Sequence, residues 1–324
     1  MEGAARSEYK NLFESMWMFA GLTFELKTDK SWMRKKIGRK EVLITQEDGK
    51  YFAIENVCPH KNIKFFEDGH KYCISFEPEV KYTSVTTWNH HHFEQFNADK
   101  VIEKMINGSA WKEGHKYWGK TPEEIKALWN KNKDSVSGAG TDLHYCIECF
   151  HNDKRFQFEY TNKELHEVYM ADCGKKLSER PLEWQYFINF IGDHKHLKPY
   201  RTEWTVYHED AKIAGSIDMV YENPDGTLSI YDWKRSKEIT GANNFNKFAL
   251  EPCIKHIPDT NFWHYSLQLN IYKTILERKY NKVVKELFLV RLHPNHTTYE
   301  LIPVPELNKE MDDLFKMRLA MYNK

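Results

Sequence analysis

One stretch constrains this chain more than any other, because it places an aspartate on each side of a tight turn. Residues 214–236 read AGSIDMVYENPDGTLSIYDWKRS, two alternating segments joined by the turn sequence NPDGT. A tight hairpin centred on Asp225 places Asp218 directly opposite Asp232. Opposed carboxylates have Cβ atoms only about 5 Å apart and destabilise a hairpin without compensation. The stretch therefore predicts a compensating positive charge.

The alternation of side chains along these strands predicts a polar face and a core face. Ser216 and Lys234 share the face of Asp218 and Asp232. The other face carries Ile217, Met219, Tyr231 and Trp233. A divalent cation between the aspartates reverses the sign of their interaction. Oxygen ligands favour Mg²⁺ or Mn²⁺ over Zn²⁺.

A lysine beside paired carboxylates predicts a reaction as well as a metal. The ammonium of Lys234 can orient a metal-bound water and offset charge on a phosphate, which indicates metal-assisted phosphodiester hydrolysis. The alternative is a solvated strand face on which a common D-x-K tripeptide happens to occur. A register slip of one residue would separate the two aspartates.

The chain changes character near residue 65. Residues 1–64 form a small β-rich segment, in which KEVLIT and KYFAIENV are joined through QEDGK. In residues 65–324, Thr121, Pro122 and Glu124 form a capping box that opens a helix, and Leu143, Ile147 and Phe150 share one helical face. Further helices are expected in WQYFINFI, FWHYSLQLNIYKTILERKY and ELNKEMDDLFKMRLAMYN. Strands are expected in RTEWTVYH, AKIAGSIDMVY, TLSIYDWKR, KELFLVRLH and TYELIPV. The pattern predicts an α/β fold with a central sheet flanked by helices, the sheet being mostly antiparallel.

Composition limits the partners of this chain. Lysine plus arginine equals aspartate plus glutamate at 47 each, so any contact with DNA depends on local patches. Candidate patches are WMRKKIGRK, WKEGHKYWGK and DHKHLKPYR, where aromatic rings could stack on bases, although each could equally be a solvated face. No long apolar run indicates a membrane span. Six dispersed cysteines indicate reduced thiols and an intracellular protein.

The order of four motifs resembles the PD-(D/E)XK nuclease superfamily, in particular its RecB-like branch. GTDLHYCIE resembles the helix that carries a metal-binding histidine, here His144, and TEWTVYHEDAKIAGSID resembles the strands that end on Asp218. IYDWK resembles the second acidic strand, and QLNIY resembles a helix with a Q-x-x-x-Y motif. The chain is similar to mitochondrial genome maintenance exonucleases and nucleases of large DNA viruses in its TSVTTW segment, its H-x-x-x-E pattern and its IDWK-like strand. The resemblance covers roughly residues 65–305 and implies a restriction-endonuclease-like core.

This resemblance implies a metal-dependent DNA nuclease, in the first place an exonuclease acting on single strands or DNA ends. It implies that Mg²⁺ or Mn²⁺ is held by His144, Asp218, Asp232 and the carbonyl of Trp233. Lys234 would position the attacking water, while Gln268 and Tyr272 would hold the substrate backbone. Ordinary structural roles remain open for His144, as a partly buried histidine, and for the Gln268–Tyr272 stripe. Glu203 could assist from a neighbouring strand or form a cross-strand ion pair.

The N-terminal segment resembles the first half of a Rieske [2Fe–2S] domain. Cys58 and His60 stand in a C-P-H loop after the paired strands. A Rieske cluster also requires a C-x-x-H pair, but the next cysteine, Cys73, is followed three residues later by Phe76. The segment is therefore interpreted as a Rieske-like arm without a cluster. A zinc site on Cys58, His60, His70 and Cys73 is an open alternative. The rival functions are a Rieske-type oxidoreductase and an inactive nuclease fold that binds nucleic acid.

Overall fold

The computed structural model describes residues 32–37, 40–47, 49–55, 63–66, 71–74, 77–152 and 181–322. These residues divide into two compact units. The first comprises the described residues up to 66 together with 73, 74 and 77–80, and the second comprises 71, 72 and the described residues from 81 onward. Within the described residues, no helix has the length and apolarity that a membrane span requires.

The first unit contains a three-stranded antiparallel sheet in the order β1 (Trp32–Ile37), β2 (Lys40–Glu47) and β3 (Lys50–Glu55). The predicted β2–β3 hairpin is confirmed, with Glu47 opposite Lys50. Gly49 in its turn has a φ of 73°, a conformation that glycine adopts without steric cost. The strands that follow are β4 (Ile63–Phe66), β5 (Lys71–Ile74) and β6 (Glu77–Ser84).

The second unit builds its helices and strands from the segments that the sequence indicates. Its strands are β7 (Lys198–His208), β8 (Ile213–Glu222), β9 (Leu228–Lys234), β10 (Val284–Arg291) and β11 (Glu300–Pro303). Its helices are α1 (Val85–His91), α2 (Ala98–Ile106), α3 (Pro122–Asn152), α4 (Leu182–Asp193), α5 (Asn261–Lys279) and α6 (Asn308–Ala320).

The capping box at the start of α3 is confirmed by two reciprocal hydrogen bonds. The backbone N–H of Thr121 donates to Glu124 Oε2 at 2.8 Å, and the N–H of Glu124 donates to Thr121 Oγ1 at 3.2 Å. These bonds satisfy two amides that the first helical turn leaves without partners. Further along the same helix, the predicted apolar face is buried, with Leu143, Ile147 and Phe150 all at most 7% exposed.

The sheet of the second unit runs in the order β11-β10-β9-β8-β6, with β7 along the other edge of β8. The sheet is mixed, because β9–β10 and β6–β8 are parallel while β7–β8, β8–β9 and β10–β11 are antiparallel. Three of these five pairings are antiparallel, which agrees with the prediction of a mixed and mostly antiparallel sheet. Parallel strands cannot be joined by a tight hairpin, and α5 supplies the crossover from β9 to β10.

Helices cover the sheet on both faces. One core contains Leu267, Ile271 and Ile275 of α5, together with Phe315 of α6 and Val85 of α1. The other contains the apolar face of α3 and four buried residues of α4, Trp184, Phe187, Ile188 and Phe190. Since both faces are covered, the central strands β8 and β9 are buried along most of their length.

The predicted hairpin register is confirmed. Met219 pairs with Tyr231 and Glu222 with Leu228, which is the register that places Asp218 opposite Asp232. Met219, Tyr231 and Trp233 lie in the core that α3 and α4 cover, as predicted. The expectation for Ile217 was wrong, because Ile217 packs in the opposite core with α5. The alternation of faces therefore breaks between Ile217 and Met219, at Asp218.

Candidate active site

Three carboxylates stand in a row across three neighbouring strands. Thr202 pairs with Met219 and Trp204 with Ile217, which leaves Glu203 of β7 opposite Asp218 of β8. On the other side, Asp218 and Asp232 are the next residues of β8 and β9 beyond their last ladder pair, Met219 with Tyr231. The row is therefore a direct consequence of the register of β7, β8 and β9.

Asp218 lies where β8 changes partner along one edge. On that edge β8 pairs with β9 from Met219 to Glu222 and with β6 at Ile213 and Ala214. Among the described strands, no ladder pair joins residues 215–218 on that edge. The side chain of Asp218 takes the place of the ladder, because its Oδ2 accepts the backbone N–H of Trp233 at 3.0 Å. The side chain of Asp218 keeps 14% of its surface accessible in this otherwise buried strand.

His144 reaches this gap from α3, whose apolar face holds the helix against the sheet. Its Nε2 lies 2.9 Å from the carbonyl oxygen of Trp233. A carbonyl only accepts hydrogen bonds, so Nε2 carries a proton in this contact and Nδ1 is left with a lone pair in the neutral ring. Nδ1 lies 3.5 Å from Asp218 Oδ2. The Trp233 carbonyl thus orients the histidine in this structure, in the manner of a residue behind a metal ligand.

His144, Glu203 and Asp218 form a cluster with the dimensions of a metal site. Each offers one ligand atom, and these atoms all lie within 4.8 Å of one another. Two carboxylates with one imidazole suit Mg²⁺ or Mn²⁺ better than a structural zinc, for which thiolates and several histidines are typical. The residues present therefore fit a divalent cation. Asp232 lies outside this group of three and is paired with Lys234 instead.

Glu203 is held in a strained backbone conformation. Its φ is 42°, in the left-handed region that non-glycine residues rarely adopt. One of its carboxylate oxygens, Oε2, accepts the hydroxyl of Ser216 at 2.9 Å. Strain of this kind persists where the surrounding structure imposes it and is concentrated at functional sites. The conformation directs Glu203 into the acidic row.

The row of carboxylates is electrostatically costly without a cation. Burial, with a further contribution from Asp218, raises the pKa of Glu203 to about 7. Burial also raises the pKa of Asp232 to about 6, and Lys234 opposes this rise. Two acids with raised pKa values beside a third carboxylate are the arrangement that a bound cation stabilises.

Lys234 is fixed over the buried end of this row. Its Nζ lies 2.6 Å from Asp232 Oδ2 and 4.5 Å from the centre of the Tyr265 ring. Burial alone would lower the pKa of Lys234, but attraction to Asp232 and Asp218 outweighs it, and the pKa is raised. Lys234 is therefore a cation at neutral pH and can donate hydrogen bonds, but it cannot accept a proton as a general base.

Gln268 and Tyr272 lie one turn apart on α5, and the two side chains differ in exposure. Gln268 Nε2 donates to the Tyr272 hydroxyl at 3.4 Å. Tyr272 is only 3% exposed, and burial raises its pKa well above the usual value. A Cβ added to Gly215 would lie 2.8 Å from Tyr272 Cε1, so glycine is required for the ring to fit. Tyr272 is therefore placed to orient Gln268, and Gln268 is the more exposed of the two.

Sequence reasoning gave too little weight to Glu203 and did not identify Tyr72. Burial, followed by the charge of Glu203, raises the pKa of Tyr72 to about 12, which places its phenol close to the acidic row. The signal for Glu203 was available, since alignment of RTEWTVYH with β8 in antiparallel register sets Glu203 opposite Asp218. Nothing in the local sequence distinguishes Tyr72.

The predicted zinc alternative in the N-terminal segment falls on residues that mostly lie outside the described ones. Cys58, His60 and His70 are in this position, and only the backbone of Cys73 is described, in β5. The sequence does contain a C-x-x-H pair further on, Cys253 and His256, which the sequence analysis overlooked. Those two side chains contact α6. Cys253 Sγ lies 3.6 Å from Met317 Sδ, and His256 Nε2 lies 3.1 Å from Glu310 Oε1.

The fold and site of the second unit define a mixed α/β domain with an acidic and histidine-containing cluster at a gap in its sheet. Comparison with known protein families gives a match in the N-terminal part of the chain. Residues 16–75 match the Rieske [2Fe-2S] domain family, which confirms that resemblance for less than a quarter of the chain. A search of curated proteins finds no match.

Two solved structures are distantly similar to the chain. One is the crystal structure of SSO0001, 14% identical, with a TM-score of 0.23; the similarity covers 49% of this chain and 63% of that one. The other is a candidate exonuclease from Eubacterium rectale, 10% identical, with a TM-score of 0.31, covering 49% of this chain and 59% of that one. The chain thus spans about three fifths of the length of each. The functional argument therefore depends on the site itself.

Proposed function

We propose that this protein is a Mg²⁺- or Mn²⁺-dependent deoxyribonuclease that hydrolyses phosphodiester bonds, acting as an exonuclease on single strands or DNA ends. The observation that carries the proposal is the convergence of His144, Glu203 and Asp218 within 4.8 Å, beside the buried Asp232–Lys234 pair. A metal cluster next to a fixed ammonium serves the two needs of phosphodiester hydrolysis, an activated water and a stabilised anionic phosphate.

His144, Asp218 and Glu203 are the residues that would hold the cation, with Asp232 bordering them. When bound, the cation polarises the phosphate and lowers the pKa of a coordinated water. Lys234 donates a hydrogen bond to the charge that develops on the phosphate, and its own position is fixed by Asp232 and Tyr265. Gln268 contacts the substrate backbone with its amide, which Tyr272 orients. The Trp233 carbonyl fixes the ring of His144.

The proposal is tested by cleavage of end-labelled single- and double-stranded DNA in Mg²⁺, Mn²⁺ or EDTA. We expect products that require metal and a loss of about 10²–10³ in rate for Lys234→Ala, the range found when a single stabilising donor is removed. The matched control is Lys285→Ala, an exposed lysine of the neighbouring strand β10. Cleavage that persists in EDTA, or that falls equally in both variants, would contradict the proposal. The label that shortens first gives the polarity.

A second candidate function is Rieske-type electron transfer, favoured by the family match over residues 16–75. A Rieske cluster requires two cysteines and two histidines, of which this segment supplies Cys58 and His60 in sequence. Protein purified without oxygen should be colourless and free of iron if the nuclease proposal describes the whole chain. Visible absorbance of a [2Fe–2S] cluster that is lost in Cys58→Ser would establish the second function.

A third candidate, an inactive nuclease fold that binds nucleic acid, is disfavoured by the intact set of acidic and lysine positions. It predicts tight DNA binding with no cleavage in any metal. The cleavage assay with end-labelled DNA separates it from the first proposal directly.

A further inference from the structure

A series of aromatic rings leads away from the candidate active site over the surface of the second unit. We call it the aromatic track and define it by Phe96, Trp111, Tyr117, Trp118 and Trp129, with the buried ring of Phe93 at its base. It includes the patch WKEGHKYWGK, which the sequence analysis singled out and which the catalytic cluster does not use. Its rings come from the loop after α1, the loop before α3 and the first turns of α3.

The track begins on α5, at the residue that precedes Tyr265. Lys234 lies over the ring of Tyr265, and the preceding residue of α5, His264, stacks on Phe93 with ring centres 3.9 Å apart. An open cavity of about 580 Å³ adjoins this stacked pair. Its walls include His90, His91, Phe93, Phe96, the Lys247–Glu94 ion pair and the His264–Asp259 pair. His264, which lines the cavity, is therefore the residue before Tyr265, and the ring of Tyr265 contacts Lys234.

The track continues from this cavity through ring-to-ring contacts. The rings of Phe96 and Trp129 are 6.0 Å apart, and those of Trp129 and Tyr117 are 6.1 Å apart, with the indole N–H donating to the Tyr117 hydroxyl at 3.0 Å. Trp111 and Trp118 form a further pair at 5.8 Å. Two of these rings are open to solvent, because Phe96 is 73% exposed and Trp118 is 47% exposed.

The loop that presents these rings is built from hydrogen-bonded turns. Backbone bonds join Trp111 to Gly108, Trp118 to His115 and Lys120 to Tyr117, at 2.8–3.1 Å. Gly114 and Gly119 have φ values of 93° and 79°, which allow the chain to turn twice within this short segment. The exposure of the rings is therefore a property of the folded loop.

The positive charge is confined to the segment that carries Trp111, Tyr117, Trp118 and Trp129, because residues 93–129 as a whole contain six lysines and six acidic residues. Residues 111–133 contain six lysines and three glutamates, and therefore carry a net charge of +3. Lys116 lies 5.1 Å from the centre of the Tyr117 ring, so a cation and an aromatic face are presented together. Lysines interleaved with exposed rings match a polyanion that also offers flat apolar faces.

We propose that the aromatic track binds single-stranded nucleic acid and guides it to Lys234. Bases stack on the exposed rings while lysines neutralise the phosphates. Single strands are required because a duplex turns the faces of its bases inward against one another. The inference rests on the proposed nuclease function for its direction, toward Lys234, and adds to it the form of the substrate.

The test is direct binding of a fluorescent single strand of about 20 nucleotides, in EDTA so that no cleavage occurs. We expect Trp118→Ala and Phe96→Ala each to weaken binding by at least about fivefold, the lower end of the loss seen when one stacked base is released. Trp118→Phe should recover most of the affinity, since a flat ring is retained. Binding of a duplex of the same sequence should change little.

Two control variants separate the track from general surface effects. Tyr322→Ala removes an aromatic ring that is 46% exposed, close to the exposure of Trp118, but this ring lies after α6 and outside the track. The affinity of this variant for the single strand should equal that of the wild type. Lys116→Gln should lower the slope of log affinity against log salt by about 0.7, the value for one phosphate of a single strand, whereas Lys285→Gln should not. Circular dichroism establishes that each variant is folded.

The outcomes distinguish a failure of the proposed aromatic track from a failure of the proposed nuclease activity. If the track variants bind the single strand as the wild type does while the wild type cleaves DNA, the track is refuted and the nuclease stands. If nothing is cleaved in any metal but Trp118→Ala and Phe96→Ala lose single-strand affinity, the nuclease is refuted and the track stands. Equal losses for single strand and duplex would refute the proposed specificity for single strands.

Discussion

Replacement of Glu203 by glutamine should stabilise the metal-free protein, although it removes a residue of the candidate active site. Glu203 is one of three neighbouring carboxylates, and burial followed by repulsion from Asp218 raises its pKa from 4.5 to about 7. The folded state therefore disfavours the charged carboxylate of Glu203, which is the form that this side chain takes at neutral pH in the unfolded state. The glutamine side chain carries no charge and can still accept the Ser216 hydroxyl, so Glu203→Gln removes the penalty and keeps the hydrogen bond.

The size of the effect follows from the pKa difference between the folded and unfolded states. The interval from 4.5 to about 7, at about 1.4 kcal/mol for each pH unit, corresponds to about 3 kcal/mol. The folded state holds the proton to higher pH than the unfolded state does, so the wild type loses stability as pH rises from 4.5 to about 7. The stabilisation by Glu203→Gln should be about 3 kcal/mol near pH 8 and less than about 1 kcal/mol near pH 5.

Urea unfolding in EDTA near pH 5 and near pH 8 measures this difference. The matched control is Glu222→Gln, a glutamate of the same sheet that is paired with Lys198, for which no gain at pH 8 is expected. Addition of Mg²⁺ or Mn²⁺ should stabilise the wild type but have much less effect on Glu203→Gln. A variant that is no more stable than the wild type at pH 8, or is equally stabilised at both pH values, would refute the electrostatic reasoning.

Three further results are expected. Lys234→Met leaves Asp232 buried without its partner and should lower the free energy of unfolding by about 3–5 kcal/mol near pH 8, measured with denaturant. Adding Asp232→Asn should recover much of this loss. If it recovers nothing, the two side chains are not coupled. Gly215→Ala places a methyl group 2.8 Å from Tyr272 Cε1 and should cost about 1–3 kcal/mol, while Gly138→Ala, in open space on α3, should not destabilise the protein. Titration calorimetry should show Mg²⁺ affinity falling up to about tenfold per pH unit as the pH drops below 7, because protons compete for Glu203; a constant affinity would contradict the ligand assignment.

The sequence alone determined the parts of this protein that depend on neighbours in the chain. The hairpin register followed from a short turn and two alternating segments, and the capping box followed from the spacing of Thr121 and Glu124. The apolar face of α3 followed from helical periodicity. Each is a local interaction whose geometry is set by a few consecutive residues, so residue types and spacing were sufficient.

Only the tertiary structure decided which residues surround Asp218. His144 and Asp218 are separated by 74 residues of sequence, and their meeting depends on the packing of α3 against the sheet. The gap along β8, and with it the position of Ile217 in the other core, arises because β9 and β6 share one edge of that strand. Pairings between distant segments depend on the competition of whole strands for one edge, which no local pattern encodes.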